Sequence, residues 1–202
     1  MSNLQLPSID LTESRSENKE LETKKLFKAI DDYDFSQFRR VYVLGNVNIN
    51  VRNKQGSTLL MHMIRQTEKE EKDYSNFITF VIMRGINVNK GNKYGYTPLM
   101  HACMKGMYDM VELICSTSFE YACKYYCKKV NVNQQDHCGR TALMFAAKYS
   151  GNNKIVKLLF KYCAANYLTD ADDLTAVDYA KTKSLKRCIK NNGKGAVKSF
   201  FI

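Results

Sequence analysis

A six-residue pattern, Asn/Asp-x-x-Gly/Asp-x-Thr, occurs four times along this chain of 202 residues. The copies run from Asn53 to Thr58, Asn92 to Thr97, Asp136 to Thr141 and Asp170 to Thr175, and each opens a short apolar stretch. Self-similarity at such a spacing indicates a solenoid, in which every unit buries its apolar face against its neighbours. The chain is therefore predicted to be a stack of repeats.

The residue types within the pattern predict a turn followed by a helix. Thr97 and Thr141 stand where a helix needs an N-cap, and Pro98 follows at the first helical position, where a missing N–H does no harm. Gly95 and Gly139 come two residues before these threonines, where a tight turn favours a positive φ. Each threonine is thus predicted to begin a helix.

The two best copies continue from the threonine into 98–103 and 142–147, and after a turn into second apolar runs at 110–114 and 155–159. This order of turn, helix, turn and helix resembles the ankyrin repeat. The resemblance implies an all-α ankyrin-repeat solenoid, here of about five helix-turn-helix repeats. It also implies a protein-binding module and not an enzyme.

Unequal spacing predicts insertions in the second and third repeats. The four threonines are separated by 39, 44 and 34 residues, against a period of about 33 for this family. The charged run 67–76 is expected to be a solvated loop or an extended helix end. Aromatic residues in 116–129 predict a helical extension packed on the solenoid: Phe119, Tyr121, Tyr125 and Tyr126. In the third interval one extra residue, Asn152 or Asn153, is expected to lengthen the turn between helices.

These patterns divide the chain into three segments. Residues 1–20 are predicted to be a polar, disordered tail, 21–190 the repeat domain, and 191–202 a flexible basic tail. The predicted repeats are 21–52, 53–91, 92–135, 136–169 and 170–190. The first and last have helical periodicity and serve as capping repeats.

Charge is distributed unevenly along the chain. The net charge is +11, yet residues 1–34 carry five basic and eight acidic groups, whereas 181–202 carry seven basic groups and none that are acidic. We favour a solvated cap, since the C-terminal cluster lacks the dense basic run of a nuclear import signal. The alternative is a nucleic-acid or anionic-surface binder that acts through the basic C-terminal region.

Cysteine use and hydropathy predict a location in the cytoplasm or the nucleus. The seven cysteines are odd in number and irregularly spaced, and the first twenty residues contain no apolar core of a signal peptide. No apolar stretch approaches the roughly 20 residues that a membrane-spanning helix needs. A disulfide framework and a membrane span are therefore not expected.

No cofactor, metal ligand or catalytic residue is predicted. One group could in principle hold zinc, but its spacings match no familiar zinc module: Cys115, Cys123, Cys127, His137 and Cys138. Methionines occupy the position at which ankyrin repeats usually have a histidine: Met61, Met100 and Met144. The hydrogen bond that this histidine usually makes to the turn is therefore not expected here.

The resemblance implies that a partner lies against the concave face, which is built from the turn tips and the exposed ends of the first helices. On this sequence the predicted partner-binding residues are Lys54, Gln55, Arg65, Lys93, Tyr94, Tyr96, Lys105, His137, Arg140, Lys148 and Tyr149. Tyrosine and arginine often anchor interfaces. We therefore expect Tyr94, Tyr96 and Arg140 to form one solvent-facing patch, flanked by Lys93 and Lys148.

The predicted partner is an acidic protein, with the chain acting as a monomer or as a subunit of a hetero-complex. An adaptor or inhibitor that masks the partner's surface is the first hypothesis. A subunit that uses its two insertions inside a larger assembly is the second. Nucleic acid is not the favoured partner, and the sequence leaves the identity of the protein partner open.

Overall fold

The computed structural model describes residues 11–45, 47–70, 73–125, 129–151 and 153–193, with only the backbone described at 11–17, 69–70, 118–125 and 193. Its helices are α1 (Leu11–Asp31), α2 (Phe35–Gly45), α3 (Leu59–Glu70), α4 (Ser75–Met83), α5 (Pro98–Met104), α6 (Tyr108–Tyr125), α7 (Ala142–Phe145), α8 (Asn153–Lys161), α9 (Ala176–Tyr179) and α10 (Lys183–Gly193). A π-helical segment, Ala146–Ser150, continues α7. Five helix-turn-helix pairs follow one another along the described chain.

The helices form two layers with an apolar core between them. The first helices of the repeats, α1, α3, α5, α7 and α9, pack in sequence against one another, and α4, α6, α8 and α10 do the same in the second layer. Ring contacts join α2 to α4, with the centroids of Phe35 and Phe77 4.9 Å apart. The predicted all-α solenoid of five repeats is confirmed. In the described ranges no helix is both long and apolar enough to cross a bilayer.

The Asn or Asp that opens each pattern holds the turn together. Oδ1 of Asp136 accepts hydrogen bonds from the backbone N–H groups of Cys138 at 2.9 Å and Arg140 at 2.8 Å. Gly139 has φ +78°, and a Cβ there would lie 2.9 Å from Cα of Asp170 in the next turn. Asp173 takes the equivalent place in the last copy at φ +59°. The side chain of Asp136 thus accepts hydrogen bonds from N–H groups that have no backbone partner in a tight turn.

A second set of asparagines links each repeat to the next. Oδ1 of Asn50 accepts from the backbone N–H of Asn87 at 2.7 Å, and Oδ1 of Asn89 accepts from that of Asn131 at the same distance. Asn133 continues the series with the N–H of Ala165. Because these bonds repeat with the solenoid, they fix the spacing and orientation of successive turns.

The predicted N-caps are confirmed, and methionine sulfur completes them. The hydroxyl of Thr97 accepts from the N–H of Met100 at 3.2 Å, and that of Thr141 accepts from the N–H of Met144 at 3.4 Å. In return, Sδ of each methionine accepts from the N–H of its threonine at 3.4 Å. A thioether is a weak acceptor. It nevertheless makes the return hydrogen bond to the threonine, which was not expected because this position holds methionine and not histidine.

The first helix is longer than the sequence indicated. Its described part runs from Leu11 to Asp31 and so includes ten residues before the predicted domain start at 21. Leu26 and Ile30 anchor its C-terminal half in the core, and helix propagation is easy once a turn has formed. Charged pairs one turn apart, such as Lys24 with Glu20 at 2.9 Å, support the polar half. At the other end α10 runs to Gly193. Residues 1–10 and 194–202 of the predicted tails lie outside the described residues.

Both insertions lengthen helices. The charged run 67–76 extends α3 to Glu70. Near its end, Tyr74 is fully buried and donates a hydrogen bond to the carbonyl of Ile30 at 3.0 Å. The second insertion carries α6 on to Tyr125. The side chains of Phe119, Tyr121 and Tyr125 lie outside the described part, as does the whole of Tyr126, so the predicted packing of this extension stays a prediction.

The extra residue of the third interval lies inside a helix, not in the turn at Asn152 or Asn153 as the sequence suggested. Nine positions separate Thr97 from the left-handed Gly106, whereas ten separate Thr141 from the left-handed Gly151. The π-helical segment Ala146–Ser150 lies between the latter pair. One widened turn of this kind absorbs a single inserted residue without breaking the helix.

Candidate functional site

Four aromatic side chains form a continuous chain of ring contacts across the third and fourth repeats. Tyr94 and Tyr96, on one turn tip, have ring centroids 6.1 Å apart. Tyr96 meets Phe145 edge-on at 5.4 Å, and Phe145 stacks on Tyr149 at 6.2 Å with 17° between the ring planes. Phe145 and Tyr149 share a face because four residues separate them on one helical stretch. We call these four residues the aromatic row.

Arg140 lies against the centre of the aromatic row. Its Nη2 donates to the hydroxyl of Tyr96 at 2.6 Å, and its Nε donates to Oδ2 of Asp136 at 2.9 Å. Its guanidinium carbon lies 5.4 Å from the ring centroid of Tyr96 and 5.2 Å from that of Phe145. Burial disfavours the charged form, but the hydrogen bond and charge of Asp136 outweigh this and raise the pKa of Arg140. The guanidinium is thus a fixed cation that is bonded within its own turn and to the preceding turn.

Two lysines flank the aromatic row. Nζ of Lys93 lies 4.9 Å from the ring centroid of Tyr94, and Nζ of Lys148 lies 5.5 Å from that of Tyr149 and 5.0 Å from that of Tyr179. The hydroxyl of Tyr179 donates to Asp170, and this bond raises the pKa of Tyr179 to about 12. The lysines therefore lie over ring faces, where cation–π attraction orients them.

Exposure divides the row into two kinds of residue. Tyr94 is 55% exposed and Tyr149 48% exposed, so both can contact a partner. Tyr96 packs against the core and is only partly exposed. Tyr96 thus faces solvent less than the sequence-based expectation held, because the hydrogen bond from Arg140 and the ring of Phe145 hold it in the repeat interface.

The structure thus brings together six of the predicted residues: Lys93, Tyr94, Tyr96, Arg140, Lys148 and Tyr149. His137 is exposed on the turn next to this group and donates its backbone N–H to the carbonyl of Tyr94 at 3.2 Å. It covers the α-carbon of Gly95, where an added Cβ would lie 2.7 Å from its ring.

The other four predicted residues lie elsewhere. Lys54 and Gln55 line a separate open groove beside α1 with Phe27 and His62. Arg65 donates to the hydroxyl of Ser57 at 2.8 Å. Lys105 is paired with Glu68 at 2.6 Å, so its charge is largely balanced within the protein.

Sequence reasoning missed Phe145 and Tyr179, although a signal for them exists. Both lie four residues after the threonine of their pattern, as do His62 and His101 in the earlier copies. This position is therefore aromatic or imidazole in all four repeats with the pattern. A residue at this position lies one helical turn after the N-cap. In the fourth repeat, the ring of Phe145 at this position therefore contacts Tyr96 on the turn tip of the third repeat.

The cysteines show no sign of a built metal site in the part of the chain that the structure describes. No group of three or more His, Cys, Asp or Glu side chains there is arranged to hold a metal ion. Burial raises the pKa of Cys115 to about 12 and that of Cys103 well above its usual value, which keeps both as neutral thiols. Cys127 and the side chain of Cys123 lie outside the described residues.

Two family models match the chain. Ankyrin repeats (3 copies) match residues 26–122, and ankyrin repeats (many copies) match 125–180. Together they cover most of the described solenoid, from α1 to α9. A comparison with curated proteins found no match.

Proposed function

Since this chain belongs to the ankyrin-repeat family, whose repeats generally mediate protein–protein interaction, we propose that it binds an acidic partner protein through the aromatic row and its flanking lysines. The binding surface is the tip of the third repeat together with the first helix of the fourth. The chain acts as an adaptor or inhibitor that covers part of its partner, without chemistry of its own.

The observation that carries this proposal is the combination of exposed rings and cations on one surface. Tyr94 and Tyr149 offer large rigid contact areas, and a tyrosine can bury its ring while its hydroxyl stays hydrogen-bonded. Lys93 and Lys148 lie over rings and form no ion pair in the part of the chain that the structure describes, so they can meet carboxylates of the partner. Arg140 is held in place before binding, which lowers the entropy lost on association.

The proposal is tested by identifying a partner through affinity purification and then titrating the purified partner by calorimetry. The double variant Tyr94→Ala/Tyr149→Ala should weaken binding by at least about 2 kcal/mol, because truncated central aromatic anchors typically cost that much. Lys93→Ala should mainly slow association and reduce its dependence on salt.

A matched control is Tyr167→Ala, since Tyr167 is 75% exposed, lies between α8 and the last turn and is not a member of the aromatic row. This variant should bind as the wild type does. Equal losses for Tyr167→Ala and for the double variant would show that the partner is not held by the aromatic row.

A further inference from the structure

The second helices of the last two repeats carry lysines on one exposed side. In α8 the exposed basic residues are Lys154, Lys157 and Lys161, and in α10 they are Lys183, Lys186, Arg187 and Lys190. The spacings of three, four and seven residues place each set on a single helix face. The opposite faces are buried, through Ile155 and Leu159 in α8 and through Leu185 and Ile189 in α10.

These two basic faces adjoin. Asn153, at the start of α8, donates from Nδ2 to the hydroxyl of Ser184, near the start of α10, at 3.1 Å. Beyond the end of α8, Asn166 donates to the carbonyl of Ile189 near the other end of α10. The helices therefore run side by side in the same direction. We call the seven residues the basic face.

The dimensions of the basic face follow from helix geometry. Seven residues of helix span about 10 Å, and packed helices lie about 8–10 Å apart. The axes of the two helices are thus separated by a distance that lies between the groove widths of B-form DNA, about 6 and 12 Å.

Few carboxylates oppose this charge. Residues 141–169 and 179–202 contain no Asp or Glu. Asp178 is close enough to Lys186 for their charges to interact, but its Oδ2 already accepts from the N–H and the hydroxyl of Thr175. On the far side of α8, the charge of Glu112 reaches Tyr162 at the C-terminal end of that helix. These two acidic groups therefore border the basic face.

We propose that the basic face binds the phosphate backbone of double-helical nucleic acid, independently of sequence. This goes beyond the proposed function, because α8 and α10 belong to the opposite layer from the helix that carries the aromatic row. The tertiary structure adds the lysines of α8 to the C-terminal cluster that was visible in the sequence.

The composition of the basic face selects this occupant. Six of its seven cations are lysines, which contact phosphates as point charges and do not read base edges bidentately. Among the described side chains of α8 and α10, no large apolar residue is exposed, so the face offers nothing to insert into a lipid layer. It also presents no exposed aromatic ring on which unpaired bases could stack.

The test is a titration of the full chain against a labelled 20-base-pair duplex of random sequence, followed by fluorescence anisotropy at several salt concentrations. If about five phosphates are contacted, log K should fall with log salt at a slope of about −4.5. Raising the salt from about 50 to about 200 mM should then weaken binding roughly 500-fold.

The decisive variant is Lys154→Gln/Lys157→Gln/Lys183→Gln/Lys186→Gln, which removes four charges from exposed positions of the basic face. It should weaken duplex binding at least about 30-fold at low salt and flatten the salt slope by up to about 3.6, since each phosphate contact contributes about 0.9. The matched control removes four exposed lysines from α1: Lys19→Gln/Lys24→Gln/Lys25→Gln/Lys28→Gln. It should bind within about three-fold of the wild type, because α1 lies at the other end of the solenoid.

Four outcomes would overturn the proposal. The first is no duplex binding by the wild type at low salt, and the second is equal losses in the two quadruple variants, which would reflect net charge alone. The third is tighter binding to a single strand of the same length. The fourth is binding to phosphatidylserine vesicles that depends on the basic face while duplex does not compete. Thermal melting of both variants by circular dichroism verifies that they remain folded.

Discussion

Nη2 of Arg140 donates a hydrogen bond at 2.6 Å to the hydroxyl of Tyr96, a residue 44 positions earlier in the chain. The bond crosses from one repeat to the next, and Asp136 holds the other side of the same guanidinium. Tyr96 therefore serves the fold as well as the surface. Tyr94, two residues away, is the more exposed of the pair.

Replacing Tyr96 by Phe should lower the free energy of unfolding by about 1 kcal/mol, because the bond from Arg140 is lost while the ring contact with Phe145 remains. Urea denaturation measures this difference. Tyr94→Phe is the control, since no hydrogen bond from the Tyr94 hydroxyl is present among the described residues, and its midpoint should not move. Equal midpoints for the two variants would contradict the role given to Tyr96.

Replacing Met144 by Leu tests the sulfur cap. Leu conserves the volume but cannot accept the N–H of Thr141, which Sδ of Met144 now accepts at 3.4 Å. A buried donor without a partner costs about 1–3 kcal/mol, and the weakness of a thioether acceptor places the expected loss near the lower end, about 1 kcal/mol. The matched change is Met110→Leu in α6, which is also buried. If both variants unfold at the same denaturant concentration, the sulfur contact contributes nothing.

The end of the charged insertion is expected to contribute more to the stability of the fold than its charged residues do. Tyr74 is fully buried, contacts Phe77 at a centroid distance of 5.4 Å and bonds to the carbonyl of Ile30. Tyr74→Ala should therefore lower the free energy of unfolding by about 3–5 kcal/mol, the range typical of large aromatic truncations.

Glu68→Gln provides the comparison within the same insertion. It removes a partly exposed ion pair with Lys105 and should cost no more than about 1 kcal/mol. A small effect of Tyr74→Ala in chemical denaturation would show that the insertion is a solvated loop, as one of the sequence-based expectations held.

Acid should destabilise the protein partly through His101. Burial lowers the pKa of His101, although the nearby Glu68 carboxylate opposes the effect. Its Nε2 is buried and has no hydrogen-bond partner among the residues that the structure describes. The unfolded chain therefore binds the proton more readily than the folded chain. The resulting stability is complete above the unfolded pKa of about 6.5 and is lost as the pH falls through the lower folded value.

His101→Gln should accordingly flatten the stability profile between about pH 7 and about pH 5. Urea midpoints of wild type and variant at each pH give the comparison, in which the carboxylates far from His101 contribute equally to both. A variant that loses stability as steeply as the wild type in this range would contradict the role of His101.

The asparagine pairs illustrate what could be inferred locally and what could not. Asparagine favours turns by its residue type, and Asn87 and Asn131 each close a turn by accepting from the N–H two residues later at 3.1 Å. The bond from Asn87 to Asn50 joins residues 37 positions apart. That second role required the stacking of repeats, which no single turn contains.

The aromatic row shows the same division. Its tyrosines, Arg140 and the flanking lysines could be selected from the sequence, because turn tips and first helices follow from the repeat pattern. Phe145 was left out of the predicted site, and the partial burial of Tyr96 was missed. Both depend on how one repeat lies against the next, which is set by packing across the interface.

By itself, the sequence determined the helical repeat, its turn and cap residues, and the presence of two insertions, since each of these depends on contacts within about a dozen neighbouring residues. The tertiary structure alone decided that the extra residue near Ser150 widens a helix, that Tyr74 is buried, and that the lysines of α8 join those of α10. The physical reason is that helix packing brings together residues tens of positions apart. Their combined burial and charge are properties of the assembled solenoid and not of any one repeat.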